Sequence, residues 1–159
     1  MQNSSSEVVY RRWCAGDAQQ KLAVFFSAVR EVACRDYSPE QIRVWSAIEP
    51  VTFTHHCQQA SGWVAMVASR MAGFITLDSR WHLDKLFVSA DFQRQSIASG
   101  LLVLAEQHAR AQHAEAITAD VSITAQPFFS AKGFEQTAAQ YVERGGITLM
   151  NHRMEKTLR

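Results

Sequence analysis

The sequence predicts one mixed α/β domain, with a mostly antiparallel central sheet of about seven strands and helices on both faces. Three observations predict it. Short apolar runs alternate with segments whose apolar residues recur every three to four positions, in the order β-αα-βββ-α-β-α-ββ. The 159 residues are 47% hydrophobic and 19% charged, values of a single globular domain. The run 83–109 passes from Leu86-Phe87-Val88 through the polar break Ser89-Ala90-Asp91 into a helical stripe of Ile97, Leu101, Leu104, Ala105 and His108.

The polar, serine-rich Met1 to Glu7 reads as a flexible tail, leaving 8–159 as the domain. Val8 to Trp13 reads as a strand. Asp17 offers an N-cap to a helix carrying Lys21, Leu22, Phe25, Phe26, Val29 and Val32. Ser38-Pro39-Glu40-Gln41 starts a second helix, with a capping Ser, Pro at the first position and Gln at the third. Ile42, Trp45 and Ile48 share its face, and Pro50 marks its end. Residues 52–61 read as a short helix or a loop. Gly62 to Ala68 and Ala72 to Leu77 read as strands around a turn at Ser69-Arg70-Met71. Trp81 to Val88 is a further strand, Gln93 to Gln112 a helix and Ala116 to Val121 a strand, a unit expected to cross over right-handed. Pro127 to Lys132 reads as a short helix with Gly133 as a left-handed cap. Phe134 to Val142 and Ile147 to Glu155 close the chain around Arg144-Gly145-Gly146.

The formal net charge is +1, so no bulk electrostatic attraction to nucleic acid or an anionic membrane is expected. No apolar run approaches the roughly 18 residues that span a bilayer, and the N-terminus has no apolar stretch of a signal peptide. Cys14, Cys34 and Cys57 are odd in number and widely spaced, which fits free thiols in a reducing cytoplasm. His55-His56-Cys57 resembles a metal site only in composition, because adjacent ligands do not converge on one ion without a second pair elsewhere. No metal is expected.

The loop Gln93-Arg94-Gln95-Ser96-Ile97-Ala98 aims the free N–H groups of the following helix into one small volume. No acid occurs between Asp91 and Glu106 to answer the helix dipole, and Arg94 is present instead. That is an anion site suited to phosphate.

These residues resemble the signature of the GCN5-related N-acetyltransferases, the GNAT superfamily. The family pattern is Leu-x-Val, about five residues, then Arg/Gln-x-x-Gly-x-Gly/Ala. Here Leu86-x-Val88 is followed by Gln93-x-x-Ser96-x-Ala98, with Ser96 in place of the first glycine. The substitution is expected to be tolerated if Ser96 keeps helical angles and turns its side chain from the phosphates. A second match, Phe128-Phe129-Ser130-Ala131-Lys132-Gly133-Phe134, fits the family's Phe-Tyr-x-x-x-Gly-Phe. The chain is most similar to the YafP-like branch, through Tyr37-Ser38-Pro39-Glu40-Gln41-Ile42, Asp84 and Ser122-Ile123-Thr124-Ala125-Gln126-Pro127-Phe128-Phe129.

The resemblance implies a GNAT-like fold, acetyl-CoA as cosubstrate and transfer of acetyl to the primary amine of a small acceptor. It implies that backbone groups of Leu86, Phe87 and Val88 hold the pantetheine arm. The amides of Arg94, Gln95, Ser96, Ile97, Ala98 and Ser99 would take the pyrophosphate. Ser122 stands where relatives contact the cofactor near the thioester, and Phe129 stands where many carry the tyrosine that protonates the leaving thiolate. Asp84 is the expected base, His82 on the same strand face its alternative, and Tyr141 a substitute acid. Tyr37 and Trp45 are candidates to line the acceptor pocket, and Glu143 to contact a cationic substrate. The resemblance leaves a homodimer open. Two other readings also stay open: a GNAT-fold protein that senses acyl-CoA without turnover, and a protein or peptide acetylase. Acceptor identity is not legible, because acceptor pockets vary freely on a constant fold.

Overall fold

The computed structural model describes residues 7–58 and 60–158. The expected tail at 1–7 therefore lies outside the described residues, apart from Glu7. Seven strands form one sheet in the order β1-β2-β3-β4-β5-β7-β6. They are β1 (Val8–Arg12), β2 (Ser61–Val67), β3 (Arg70–Leu77), β4 (His82–Val88), β5 (Ala116–Ser122), β6 (Glu135–Arg144) and β7 (Ile147–Thr157). Only β4 and β5 run parallel. Five α-helices cover the sheet: α1 (Ala18–Ser27), α2 (Pro39–Trp45), α3 (Pro50–Gln58), α4 (Ile97–Ala111) and α5 (Gln126–Ala131). No described helix is long and apolar enough to cross a membrane.

Strand alternation divides the core in two. Val64 and Phe74 face α1–α3, where they meet Val24, Phe25, Ile42 and Phe53. Trp63, Ala65 and Ile75 face the other way, onto Ile97, Leu101, Leu102 and Ala105 of α4. Phe129 of α5 closes that second core beside Phe134. Gly73 of β3 is required here: a Cβ would stand 2.8 Å from the Phe87 carbonyl and 3.2 Å from Ile97, so its absence lets α4 settle on the sheet.

The second helix starts as its sequence directs. Ser38 Oγ accepts from the Gln41 amide at 3.1 Å, Gln41 Oε1 accepts from the Ser38 amide at 2.8 Å, and Pro39 opens the first turn. Gly133 adopts φ +94° after α5, as a left-handed cap should.

Several elements differ from expectation. Asp17 does not cap α1. Its carboxylate turns back to the Cys14 amide at 2.8 Å and to both guanidinium nitrogens of Arg11 at 2.9 Å, capping a preceding 3₁₀ turn at Ala15–Asp17. Arg11 beside it, with the Cys14 amide, holds the Asp17 carboxyl down at about 2. After Ser27 the first helix widens into a π turn at Ala28–Val32 and tightens into a 3₁₀ turn at Ala33–Arg35, ahead of α2. Pro50 opens α3 rather than only ending α2, which resolves the ambiguous 52–61 segment as largely helical. The β2–β3 hairpin turns on Ala68-Ser69, with Val67 opposite Arg70 and Ala68 at φ 56°. α4 begins at Ile97, four residues later than its periodicity suggests, because Arg94 and Ser96 take left-handed angles (φ 63° and 61°) that no helix can include.

Candidate active site

The site grows from a fault in the sheet. β4 pairs β3 regularly from Gly73↔Val88 to Thr76↔Lys85, then skips Asp84 to resume at Leu77↔Leu83. The bulge sets Asp84 and the next residue, Lys85, on the same side of the strand, where both border one cavity. On its other edge β4 pairs β5 only at His82↔Thr118 and Leu83↔Ala119. Beyond that point the strands part, and the facing edges of 84–88 and 120–122 form no ladder with each other. Three cavities open along the gap.

The first, of about 210 Å³, lies between β4 and α5. Leu86, Phe87, Val88, Ala98, Ser122 and Phe129 line it, joined by Ala28, Val32 and Ala33 from the widened end of the first helix. π turns of this kind recur at functional sites because they re-aim side chains without ending the helix. At the mouth is the N-terminus of α4. Ser96 occupies the cap position without giving a side-chain hydrogen bond, and the first turn carries no acid. The Gly100 amide reaches the Ser96 carbonyl at 3.0 Å. The amides of Ile97, Ala98 and Ser99 precede it and have no partner within the helix. Three convergent N–H donors with the positive end of a 15-residue helix behind them form an anion cradle.

The second cavity, of about 240 Å³, lies across the gap, against β5, β6 and β7. Tyr37, Trp45, Asp84, Asp120, Val142, Arg144 and Asn151 are among its walls. The third adjoins it under α2 and α3, lined by Glu49, His56, Lys85 and Arg144 among others. Trp45 and Phe87 border all three cavities, and Ser122 borders the first two. The anion cradle's cavity and the Asp84 cavity are therefore neighbours divided by shared side chains.

The structure sorts the expected site residues. Asp84 faces the gap, half-exposed and in contact with the Lys85 ammonium. His82 shares that side of the sheet but both its ring nitrogens are engaged, Nδ1 with Thr118 Oγ1 at 2.8 Å and Nε2 with Asp120 Oδ2 at 3.2 Å. It steadies Asp120, which lines the cavity, rather than lining it itself. Tyr37 does line it. Its hydroxyl donates to the Met150 carbonyl at 2.7 Å and accepts from the Ile123 amide at 2.9 Å, tying α2's approach to β5 and β7. Burial raises the Tyr37 phenol above its ordinary value, partly offset by the Ile123 amide. Trp45 packs edge-on against it at 5.3 Å.

Ile97 sends its side chain into the core at 1% exposure, as its place in the apolar stripe implies, and leaves its amide at the helix end. Three expectations need correction. Ser96 does not keep helical angles; at φ 61° it takes the left-handed conformation that the family's glycine would adopt freely. Tyr141 is 71% exposed and lies on the face of β6 opposite the cavity, since Gln140 bonds Asp120 and Val142 lines the wall on either side of it. Glu143 shares that outward face for the same reason, and Arg144 borders the acceptor side instead. Phe129 does line the first cavity while its ring is otherwise packed edge-on between Phe128 and Phe134.

Other residues of the site were not among those expected to line it, although several lie within the matched motifs. Gln93 lines the first cavity and donates to the Val88 carbonyl at 2.9 Å, at the free end of β4. Thr124, Ala125 and Phe128 complete that wall, and Asp120, Arg144 and Asn151 the other. Among the described residues no group of three or more His, Cys, Asp or Glu side chains is gathered for a metal ion.

Known proteins share this fold. A family model described as the acetyltransferase (GNAT) domain matches residues 33–158. The uncharacterized N-acetyltransferase YafP of Escherichia coli (strain K12) is 33% identical over 152 residues, 94% of this chain and 95% of that one. A crystal structure of a GCN5-related N-acetyltransferase from Rhodopseudomonas palustris superposes with a TM-score of 0.90 at 27% identity, covering 99% of both chains. The PaiA N-acetyltransferase of Thermoplasma acidophilum, solved in complex with coenzyme A, shares the fold with a TM-score of 0.75 at 18% identity, over 95% of this chain and 99% of its own. On the family match and the YafP identity together, the chain belongs to the GNAT family of N-acetyltransferases.

Proposed function

We propose that the protein transfers the acetyl group of acetyl-CoA to the primary amine of a small acceptor, by direct attack within a ternary complex. One observation carries the reading: the cavity beside the anion cradle and the cavity of Asp84 share Trp45, Phe87 and Ser122, so two substrates bound in them meet across that line. Direct attack gains most of its rate from such juxtaposition.

In this reading the amides of Ile97, Ala98 and Ser99 hold the pyrophosphate, with Gln95 and Arg94 flanking the loop. The pantetheine arm lies along the unpaired edge of Leu86 to Val88. The acceptor nitrogen attacks the thioester carbonyl, and a β4 backbone N–H receives the charge that develops on oxygen. The new C–N bond makes the nitrogen acidic, and its proton passes to the Asp84 carboxylate, directly or through one water. The C–S bond then breaks and CoA leaves as thiolate. Phe129 has no proton to give and Tyr141 faces away, so water protonates the sulfur. A thiol near ~8.5 is a fair leaving group, which makes the missing acid a handicap and not a bar. Asp120, steadied by His82, is another carboxylate on the acceptor side and attracts the cationic form of the amine, which gives up one proton to solvent water before its lone pair attacks.

The absent phenol favours a second reading, a protein that binds acyl-CoA without turnover. Release of free thiol from acetyl-CoA in the presence of a panel of small amines separates the two. The enzyme releases CoA stoichiometrically with acetylated amine. Binding of acetyl-CoA with no release above the amine-free rate would establish the sensor.

A further inference from the structure

We propose that the acceptor carries an anionic group besides its amine, a carboxylate being the best match, and that Arg144 holds it. The inference rests on the reading that the Asp84 cavity receives the acceptor.

Arg144 ends β6, and the hairpin tip after it is seated on α2: a Cβ at Gly145 would stand 3.7 Å from Val44. The tip thus lies beside α2, and Arg144 borders both acceptor-side cavities. The other cations nearby are committed. Lys85 pairs with Asp84, and Arg153 reaches Asp120 at 3.5 Å. The Arg144 side chain has neither an ion pair nor a hydrogen bond among the described residues. Asp84 lines the same two cavities, yet no ion pair joins it to Arg144. The two cavities are therefore lined by the Asp84 carboxylate, paired with Lys85, and by a guanidinium that has no ion pair among the described residues, with Trp45 and Phe87 bordering both.

A bare amine would satisfy the carboxylate side and leave Arg144 unused. An aminocarboxylate answers both, because the guanidinium fork matches two carboxylate oxygens. CoA phosphates do not supply this anion, since Arg144 does not border the cavity beside the α4 cradle. Glu49 and His56 also face the outer cavity, so the field there is mixed and a dianionic acceptor is not what it favours.

The test is a steady-state comparison of matched acceptors at saturating acetyl-CoA. Phenylalanine and leucine are set against their carboxamides and decarboxylated amines. A series of unbranched amino acids places the carboxylate one to four carbons from the amine, and aminophosphonates form a separate arm. At least one carboxylate member should exceed its neutral partner about tenfold or more in kcat/KM. Arg144→Gln should remove that preference through KM with kcat little changed, Arg144→Lys should restore part of it, and acetyl-CoA affinity should stay as in wild type. A preference for phosphonates alone would overturn the assignment of a carboxylate. Equal use of charged and neutral partners by wild type, or an unchanged ratio in Arg144→Gln, overturns the proposal while leaving acetyl transfer standing. If no amine of any kind is acetylated, the underlying reading falls, and this inference with it.

Discussion

Asp84 lines the proposed acceptor cavity because β4 bulges at that position, and the same bulge brings Lys85 beside it. If Asp84 takes the amine proton, Asp84→Asn should lower kcat about 10²-fold or more. Acetyl-CoA affinity should be nearly intact, since the cradle lies across the gap. An unchanged rate at neutral pH would move the role to Asp120 with His82. Phe129 poses the complementary question at the leaving sulfur. Its ring is 3% exposed and also borders the first cavity, so the account expects a hydroxyl to emerge into that cavity. Phe129→Tyr should fold normally and equal or exceed wild-type turnover. A loss of more than about 2 kcal/mol in stability would instead place the ring's tip in the core, where a phenol lacks a partner. Asp84 and Phe129 were singled out by the family resemblance, and both border the cavities. Arg144 was not, because Tyr141-Val142-Glu143-Arg144 shows no apolar alternation to say which residues face inward. Glu143 was selected by the resemblance at the turn and Tyr141 as a substitute phenol, and because neighbours on a strand face opposite ways both fall on the face away from Val142 and Arg144.

At the scale of the element, the decisive piece is the loop into α4. Its composition identified an anion site, and the uncapped helix N-terminus is there. Its conformation was not legible, because serine gives no warning that it will take a left-handed angle. Arg94 and Ser96 both do so, at a cost of roughly 1–2 kcal/mol each for residues with a Cβ. Strain of this kind persists where the surrounding structure and the function require the shape. Ser96→Gly should therefore raise the stability of the free protein by up to about 1 kcal/mol, the relief of strain exceeding glycine's added freedom in the unfolded chain. It should leave acetyl-CoA affinity equal or tighter. Chemical denaturation with unchanged m-value checks this, and a destabilised variant would show that the Ser96 hydroxyl contributes something not assigned here. Similar reasoning explains α1. Its apolar stripe was plain, but the switch to a π turn at Ala28–Val32 leaves no mark in the sequence, and with it went the chance to foresee Ala28, Val32 and Ala33 as cavity walls.

At the scale of the molecule, the seven strands and the helices on both faces follow from patterns the chain displays openly. The gap between β4 and β5 does not, because pairing that fails to form has no composition. The core facing α1–α3 also holds a surprise. Lys21 is fully buried, its Nζ has no hydrogen-bond partner, and it lies 4.1 Å from the Trp13 ring centre and 5.4 Å from that of Phe74. Burial lowers its pKa, against weaker support from Cys57 and Asp17. A folded-state value below the unfolded one means that the unfolded chain binds more protons between the two values. Stability should accordingly rise with pH from the lowered value up to the ordinary lysine range, and the penalty should be full below it. Lys21→Met should remove that slope and stabilise the protein near neutrality by about 1 kcal/mol or more. Thermal unfolding of both proteins from pH 6 to 10 reads it, and parallel curves would contradict it.

The claim on which all else depends is that the α4 N-terminus and the parted edge of β4 hold acetyl-CoA. Calorimetric titration of acetyl-CoA into wild type and Ser96→Asp, with circular dichroism to verify that both are folded, tests it most directly. The account predicts one saturable site on wild type and its loss in Ser96→Asp, which adds a negative charge at the helix N-terminus that would hold the pyrophosphate. A folded wild-type protein that takes up no acetyl-CoA, or a Ser96→Asp variant that binds it as tightly, would contradict the account.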